Sequence, residues 1–289
     1  MERETYKSRS KFSQSLCKCL LYLILILYAF ITIYPFIWTI ASSLKSTQQF
    51  LNSNPLDLIP KPIRLSNYKE AWKTVPMGRF ILNSVFITLF VTTVQVLVAS
   101  MAAYAFAKIS FKGKNIIFIL FLGTMMVPSQ VTLIPNYILL RNFNWLNKYQ
   151  ALLIPTIFSG ICVTGMFILR QYFLSIPKEI EDAAIIDGCS RYGVFWRIIL
   201  PNAKPAMATF AIISFNSHWN SFLYPLIMMN DVKKMPIQVG IAYFKSISQQ
   251  TGGPLLAGTT MAILPVILVF LIFQKYIVNG TLTSGMGGK

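Results

Sequence analysis

The chain has 289 residues, 55% of them hydrophobic and only 12% charged, with a formal net charge of +17. Soluble domains carry about 25% charged residues, so this composition, with a mean hydropathy of +0.58, excludes an ordinary water-soluble globule and makes lipid the main solvent. A nucleic-acid partner is also excluded, because no basic stripe with interleaved aromatics lies outside the apolar runs; Lys and Arg flank those runs, where anionic headgroups hold them.

Residues 1–19 form a basic, polar tail, expected in the cytoplasm. Stretches without any charge follow between Lys18 and Lys45, Arg79 and Lys108, Lys114 and Arg141, Lys148 and Arg170, Lys204 and Asp231, and Lys245 and Lys275. Each exceeds the roughly 20 residues that cross a hydrocarbon core as a helix. The apolar runs are continuous rather than alternating, which predicts helices and not a barrel. The predicted fold class is therefore all-α, a polytopic membrane protein whose six transmembrane helices fill residues 20–278. Spans are expected at 20–42, 80–106, 116–140, 151–169, 205–229 and 255–276, with a tail at 279–289. The first run is too long for a signal-peptide core and is taken as an uncleaved span.

Pro35, Pro128, Pro135, Pro155, Pro225 and Pro265 fall inside spans and predict kinks. Small residues from Ala99 to Ala105 permit close helix packing. The loop at 44–79 predicts turns and a short surface helix near Asn67–Trp72. Lys and Arg are more numerous on the side that carries both termini, which predicts cytoplasmic termini in a cell membrane. Four cysteines show no metal or redox spacing, and Cys17 and Cys19 are taken as apolar filler at a membrane boundary.

The loop at 170–204 is a charged island. Ser175 and Pro177 predict a helix start, with Glu179 and Glu181 in the favourable first turn. Gly188 predicts a left-handed end to that helix. Ser190 predicts the cap of a second helix, which Pro201 is expected to stop. Ala183 and Ala184 let the helix backbone settle deep in a groove, where Glu181 and Asp182 would meet basic groups of a soluble partner. Glu181, Asp182, Ala183, Ala184, Gly188, Ile198, Leu200 and Pro201 are the predicted docking residues.

Asn216, Trp219, Asn220 and Tyr224, near the fifth span, either line a translocation path or serve interhelical hydrogen bonding and interface anchoring. His218, the one histidine, is expected to be neutral and hydrogen-bonded, since no charged residue lies within a span to partner it. No catalytic constellation or metal site is predicted. No phosphate-binding loop exists: Gly113-Lys114 is followed by Asn115. Energy must then come from a partner or an ion gradient, and a stand-alone gradient-driven secondary transporter is the alternative function.

The order Asp182-Ala183-Ala184, three residues, Gly188, nine residues, Ile198, one residue, Leu200-Pro201 resembles the coupling motif of binding-protein-dependent ABC transporter permeases. The wider text is similar to the sugar-uptake branch, of the maltose and glycerol-3-phosphate type second permease subunit. It carries Ser43-Leu44-Lys45, Asn83-Ser84, Ala102-Ala103-Tyr104-Ala105, Ile134-Pro135, Ser175 through Glu179, Trp219 through Phe222, and the tail near Gly280. The resemblance implies a six-helix MetI-like core and a coupling helix in the island. The implied partners are a second permease subunit, two cytoplasmic ATPase subunits, an extracytoplasmic binding protein and a carbohydrate substrate. The ATPase hydrolyses ATP, and this chain binds no cofactor. Asp182 stands where the family usually has Glu, and Glu181 is expected to compensate for the shorter arm.

Overall fold

A computed structural model of the protein describes residues 2–248 and 252–286, and the side chains of residues 17–248 and 252–272. Among the described residues every regular element is helical. The chain divides into two compact units, one of residues 1–71 with 249–260 and one of residues 72–248 with 261–289.

In the first unit, helix α1 (Glu2–Ser43) begins inside the predicted tail and runs through the first span. It stops where Leu44 and Lys45 turn back on the carbonyls of Ala41 and Ser42. Ser46 then caps α2 (Thr47–Asn52) by accepting from the Gln49 N–H at 3.1 Å. Asn67, in α3 (Ser66–Thr74), donates through Nδ2 to the carbonyls of Ser43 (2.7 Å) and Lys45 (2.8 Å), and Tyr68 Oη meets Ser43 Oγ at 2.8 Å. The Lys45 ammonium, 1% exposed, donates to Ser53 Oγ and to the Asp57 carbonyl. The Ser43-Leu44-Lys45 stretch is thus the hub of a polar knot at the end of the first span. Gly253, at the start of α15 (Gly253–Met286), passes through the same knot: a Cβ there would stand 2.3 Å from Asn67 Nδ2 and 2.4 Å from the Lys45 carbonyl.

The second unit is built on α4 (Met77–Lys108). Its small and polar residues let α7 (Tyr149–Ile157), α8 (Gly160–Ser175), α12 (Lys204–Trp219) and α14 (Ile237–Ser248) lie against it. At its start Asn83 donates to the carbonyls of Lys233 and Met235 and accepts from Tyr149 Oη, while Ser84 Oγ accepts from the Ile237 N–H at 2.7 Å. At its end the last carbonyls, unpaired by helix geometry, are met by cations: Arg170 donates to Phe106, and Lys114 to Ala107 and Ile109. Burial, and then the charge of Arg170, lower the Lys114 pKa from its ordinary value.

Among the described residues, four helices are long and apolar enough to cross a membrane: Cys17–Ser43, Met77–Lys108, Tyr149–Ser175 and Gly253–Ile272. Arg191–Asn202 and Lys204–Trp219, bent by 77°, make a fifth if counted as one span. The expected single helix at 116–140 is instead divided into α5 (Lys114–Thr124) and α6 (Leu133–Asn142). Pro128 lies in the gap, where its missing N–H and its effect on the preceding residue oppose helix continuation. The expected helix at 205–229 likewise ends at Trp219 and resumes as α13 (Leu223–Met228).

Candidate functional site

The island folds as two helices, as the sequence predicts, with altered ends. Ser175 belongs to the last turn of α8 and donates to the Tyr172 carbonyl at 2.7 Å, so it does not cap. Pro177 occupies the cap position of α9 (Lys178–Ile186), whose first turn carries Glu179 and Glu181. Gly188 ends the segment with φ of +86°, the left-handed conformation expected of it. Ser190 caps α10 (Arg191–Val194) by accepting from the Gly193 N–H at 3.2 Å.

Pro201 does not stop the second helix. A π-helical turn (Phe195–Ile199) leads into α11 (Leu200–Asn202), which begins with Leu200 donating to the Phe195 carbonyl. A proline in a regular α-helix crowds the carbonyl four residues earlier; the wider turn relieves that crowding at Arg197. The chain breaks at Ala203, and α12 starts at Lys204 with Pro205 in its first turn. Ile198 and Leu200 pack half-buried against the core, and Pro201 is exposed.

The two carboxylates of the motif have opposite fates. Glu181 turns inward, 8% exposed, and its Oε1 lies 2.5 Å from Lys108 Nζ at the end of α4. Asp182 turns outward, its side chain 55% exposed, with Lys178 3.9 Å away. The expectation that Glu181 would extend Asp182's reach toward a partner is therefore corrected: its charge is used within the chain. The face is also rotated from the expected one. Ala184 is buried with Glu181, whereas Asp182, Ala183 and Ile186 (84% exposed) point away. Beside them an open groove is lined by Asp187, Gly188, Cys189, Ser190, Tyr192 and Trp196. The exposed surface thus combines carboxylates with large apolar side chains around a small residue at which a partner's backbone can approach closely.

The predicted path residues also separate. Trp219 is 1% exposed, donates from Nε1 to the Ala262 carbonyl at 3.2 Å and stacks on Phe215; it is a packing residue and does not face a path. Tyr224 Oη donates to the Ala151 carbonyl at 3.0 Å. Asn216 and Asn220 are exposed and joined by their carboxamides at 2.9 Å, and Gln238 donates to Asn220 Oδ1 at 3.2 Å. These three amides form an open polar row.

A separate buried network was not foreseen from the sequence. Gln95 on α4 donates to the Thr156 carbonyl (2.7 Å), within reach of Ile157 O and Ser159 Oγ at the break between α7 and α8. Its Oε1 meets Ser214 Oγ (2.8 Å) and His218 Nε2 (2.9 Å), and Ser214 Oγ also reaches Thr92 Oγ1. His218 is hydrogen-bonded as expected, its partner being an amide. A lone Gln in an uncharged span was the available signal, since a buried amide needs partners.

Residues 95–282 match the family model of the binding-protein-dependent transport system inner membrane component. The arabinooligosaccharides transport system permease protein AraQ of Bacillus subtilis (strain 168) is 33% identical over 276 residues, which cover 95% of this chain and 97% of that one. The trehalose/maltose transport system permease protein MalG of Thermococcus litoralis is 34% identical over 269 residues, covering 91% and 95% respectively. The diacetylchitobiose uptake system permease protein NgcG of Streptomyces coelicolor is 33% identical over 264 residues, covering 91% and 86%. The fold is similar to that of a chain from a bacterial ABC transporter involved in the import of the acidic polysaccharide alginate, with a TM-score of 0.77 at 23% identity over 91% of this chain and 97% of that chain.

The chain therefore belongs to the family of binding-protein-dependent transport system inner membrane components. It is an ABC transporter permease, a membrane transport subunit and not an enzyme.

Proposed function

We propose that this chain forms half of the translocation pathway of an ATP-driven carbohydrate importer in the cell membrane. The permeases AraQ, MalG and NgcG serve oligosaccharide or disaccharide transport systems by their names, which supports a sugar or related carbohydrate as the substrate class. Six segments cross the bilayer, the third, fourth and fifth as broken helices, and both termini are cytoplasmic. The chain pairs with a second permease subunit, two cytoplasmic ATPase subunits and an extracytoplasmic binding protein. ATP is bound and hydrolysed by the ATPase, and this chain needs no cofactor of its own.

The carrying observation is the outward face of α9. Asp182 and Ile186 flank Ala183 on a helix whose opposite face is fixed to the chain's own core through Glu181 and Ala184. In this reading the face seats in a socket on the ATPase, Asp182 meets a basic group there, and Tyr192 and Trp196 rest against its rim. Asn216, Asn220 and Gln238 line the path, where amides exchange hydrogen bonds with hydroxyl groups.

The test is co-purification. Asp182→Lys and Ala183→Trp each strip the ATPase from the detergent-solubilised transporter and abolish ATP-dependent uptake in proteoliposomes, while the permease pair stays assembled. Retention of the ATPase and of uptake by both variants removes the docking assignment.

A further inference from the structure

The buried face of α9 raises a separate question: what carries a displacement of this short helix into the membrane. Elements linked only by exposed loops move independently, whereas buried, geometrically specific contacts make two elements one body. Four contacts bind the island to the end of α4. Lys108 Nζ lies 2.5 Å from Glu181 Oε1, both side chains about nine-tenths buried. The same ammonium donates to the Ile176 carbonyl at 2.7 Å, in the turn just before α9. One helical turn earlier, Tyr104 Oη reaches the Arg191 carbonyl on α10 at 3.4 Å, and its ring packs on Phe195 at 5.2 Å. Lys108 is the last residue of α4, so it grips the island from the tip of a 32-residue helix. That helix carries Gln95, whose amide holds both the α7–α8 break and α12.

We infer that Lys108 and Glu181 form the rigid link through which a push on α9 is delivered to α4, and that Glu181 is a positioning residue which never touches the ATPase. The inference rests on the docking reading above for the origin of the push. The link itself is a property of this chain alone. Apolar contact tolerates sliding, whereas here the ammonium is held between a carboxylate on α9 and the Ile176 carbonyl ahead of it, to which it donates. Sliding of the helix along its axis breaks one or both contacts.

The experiment uses the assembled transporter, with its second permease and ATPase, after replacing the four native cysteines by serine. Spin labels at Lys112→Cys, beyond the end of α4, and Ile180→Cys, exposed on α9 outside the docking residues, report the distance between the two elements. The distance is measured without nucleotide and after trapping with Mg-ATP and vanadate. With the native pair the distance distribution is single and the same in both states. In Glu181→Gln it is broader than in the native pair without nucleotide and shifts on trapping, although the ATPase stays bound and hydrolyses ATP. In the exchanged pair, Lys108→Glu with Glu181→Lys, the narrow distribution returns. Glu181→Asp, which keeps the charge on a shorter arm, falls between, and covers the case in which the glutamine variant does not assemble.

Two results overturn the inference: a Glu181→Gln distribution identical to the native one in both states, or loss of the ATPase in Glu181→Gln, which would make Glu181 a contact. Retention of the ATPase by Asp182→Lys would sink the docking reading instead, and the nucleotide-free distributions of the native and glutamine variants would still decide whether the link holds.

Discussion

Gly165 on α8 and Phe210 on α12 meet with no room for another atom: a Cβ at position 165 would stand 2.2 Å from the Phe210 ring. This contact brings the fourth and fifth crossing segments together against α4, and it explains why a glycine sits in mid-helix, where it costs conformational entropy. Gly165→Ala is expected to force the ring aside and destabilise the permease by about 1–3 kcal/mol. Thermal unfolding of the detergent-solubilised protein measures this. Adding Phe210→Leu should recover part of the loss, and a variant as stable as the native protein would refute the contact.

Gln95 holds three elements with one side chain. Gln95→Leu removes the partner of the His218 ring nitrogen, and leaves Ser214 Oγ with Thr92 and the Thr156 carbonyl with the Ser159 N–H. An unsatisfied buried polar group costs about 1–3 kcal/mol. A lower melting temperature is expected, together with faster hydrogen exchange at Thr156–Ser159, where the helix is already broken. Unchanged exchange at that break would show that Gln95 does not hold it.

Trp219 and Asn220 are adjacent and should behave oppositely. Trp219→Phe loses the bond to Ala262, worth about 1 kcal/mol, and should lower the melting temperature while uptake per assembled transporter persists. Asn220→Ala and Asn216→Leu should leave melting unchanged and reduce uptake, because their amides face outward. Assays of transport normalised to assembled complex separate the two. Loss of uptake in Trp219→Phe alone would return Trp219 to the path.

Gly188 closes α9 in a conformation that a Cβ resists. Gly188→Ala should cost about 1–2 kcal/mol locally, and nothing within 4 Å of its Cβ adds a steric term. The strain falls on the connection between α9 and α10, so ATPase retention should fall more than overall stability. Co-purification at rising salt checks this; equal retention by the native and alanine forms would contradict it.

The sequence disclosed the apolar runs, the helix–turn–helix of the island and the left-handed glycine at 188, because hydropathy and capping chemistry are local properties. The break between α5 and α6 was visible only as prolines. Whether Pro128 bends a helix or ends it depends on what surrounds residues 125–132. The split between Glu181 and Asp182 was illegible for another reason. Two neighbouring carboxylates on a helix point about 100° apart, and which one turns inward depends on the position of Lys108, 73 residues away. Gln95 was visible as a lone amide in a span, but its partners come from two distant segments, 156–159 and 214–218. Trp219 looked suited to a sugar path by residue type, and only its packing against Phe215 and Ala262 shows otherwise.

The widened turn at Phe195–Ile199 has one last implication. It holds a residue more than a regular helical coil would need over the same rise. Spare length of this kind acts as slack: one deletion there can be absorbed by tightening to the ordinary coil, at the expense of Pro201, which would then press on the backbone behind it. Shortening this stretch should therefore be tolerated better with a non-proline at 201 than with Pro201 retained.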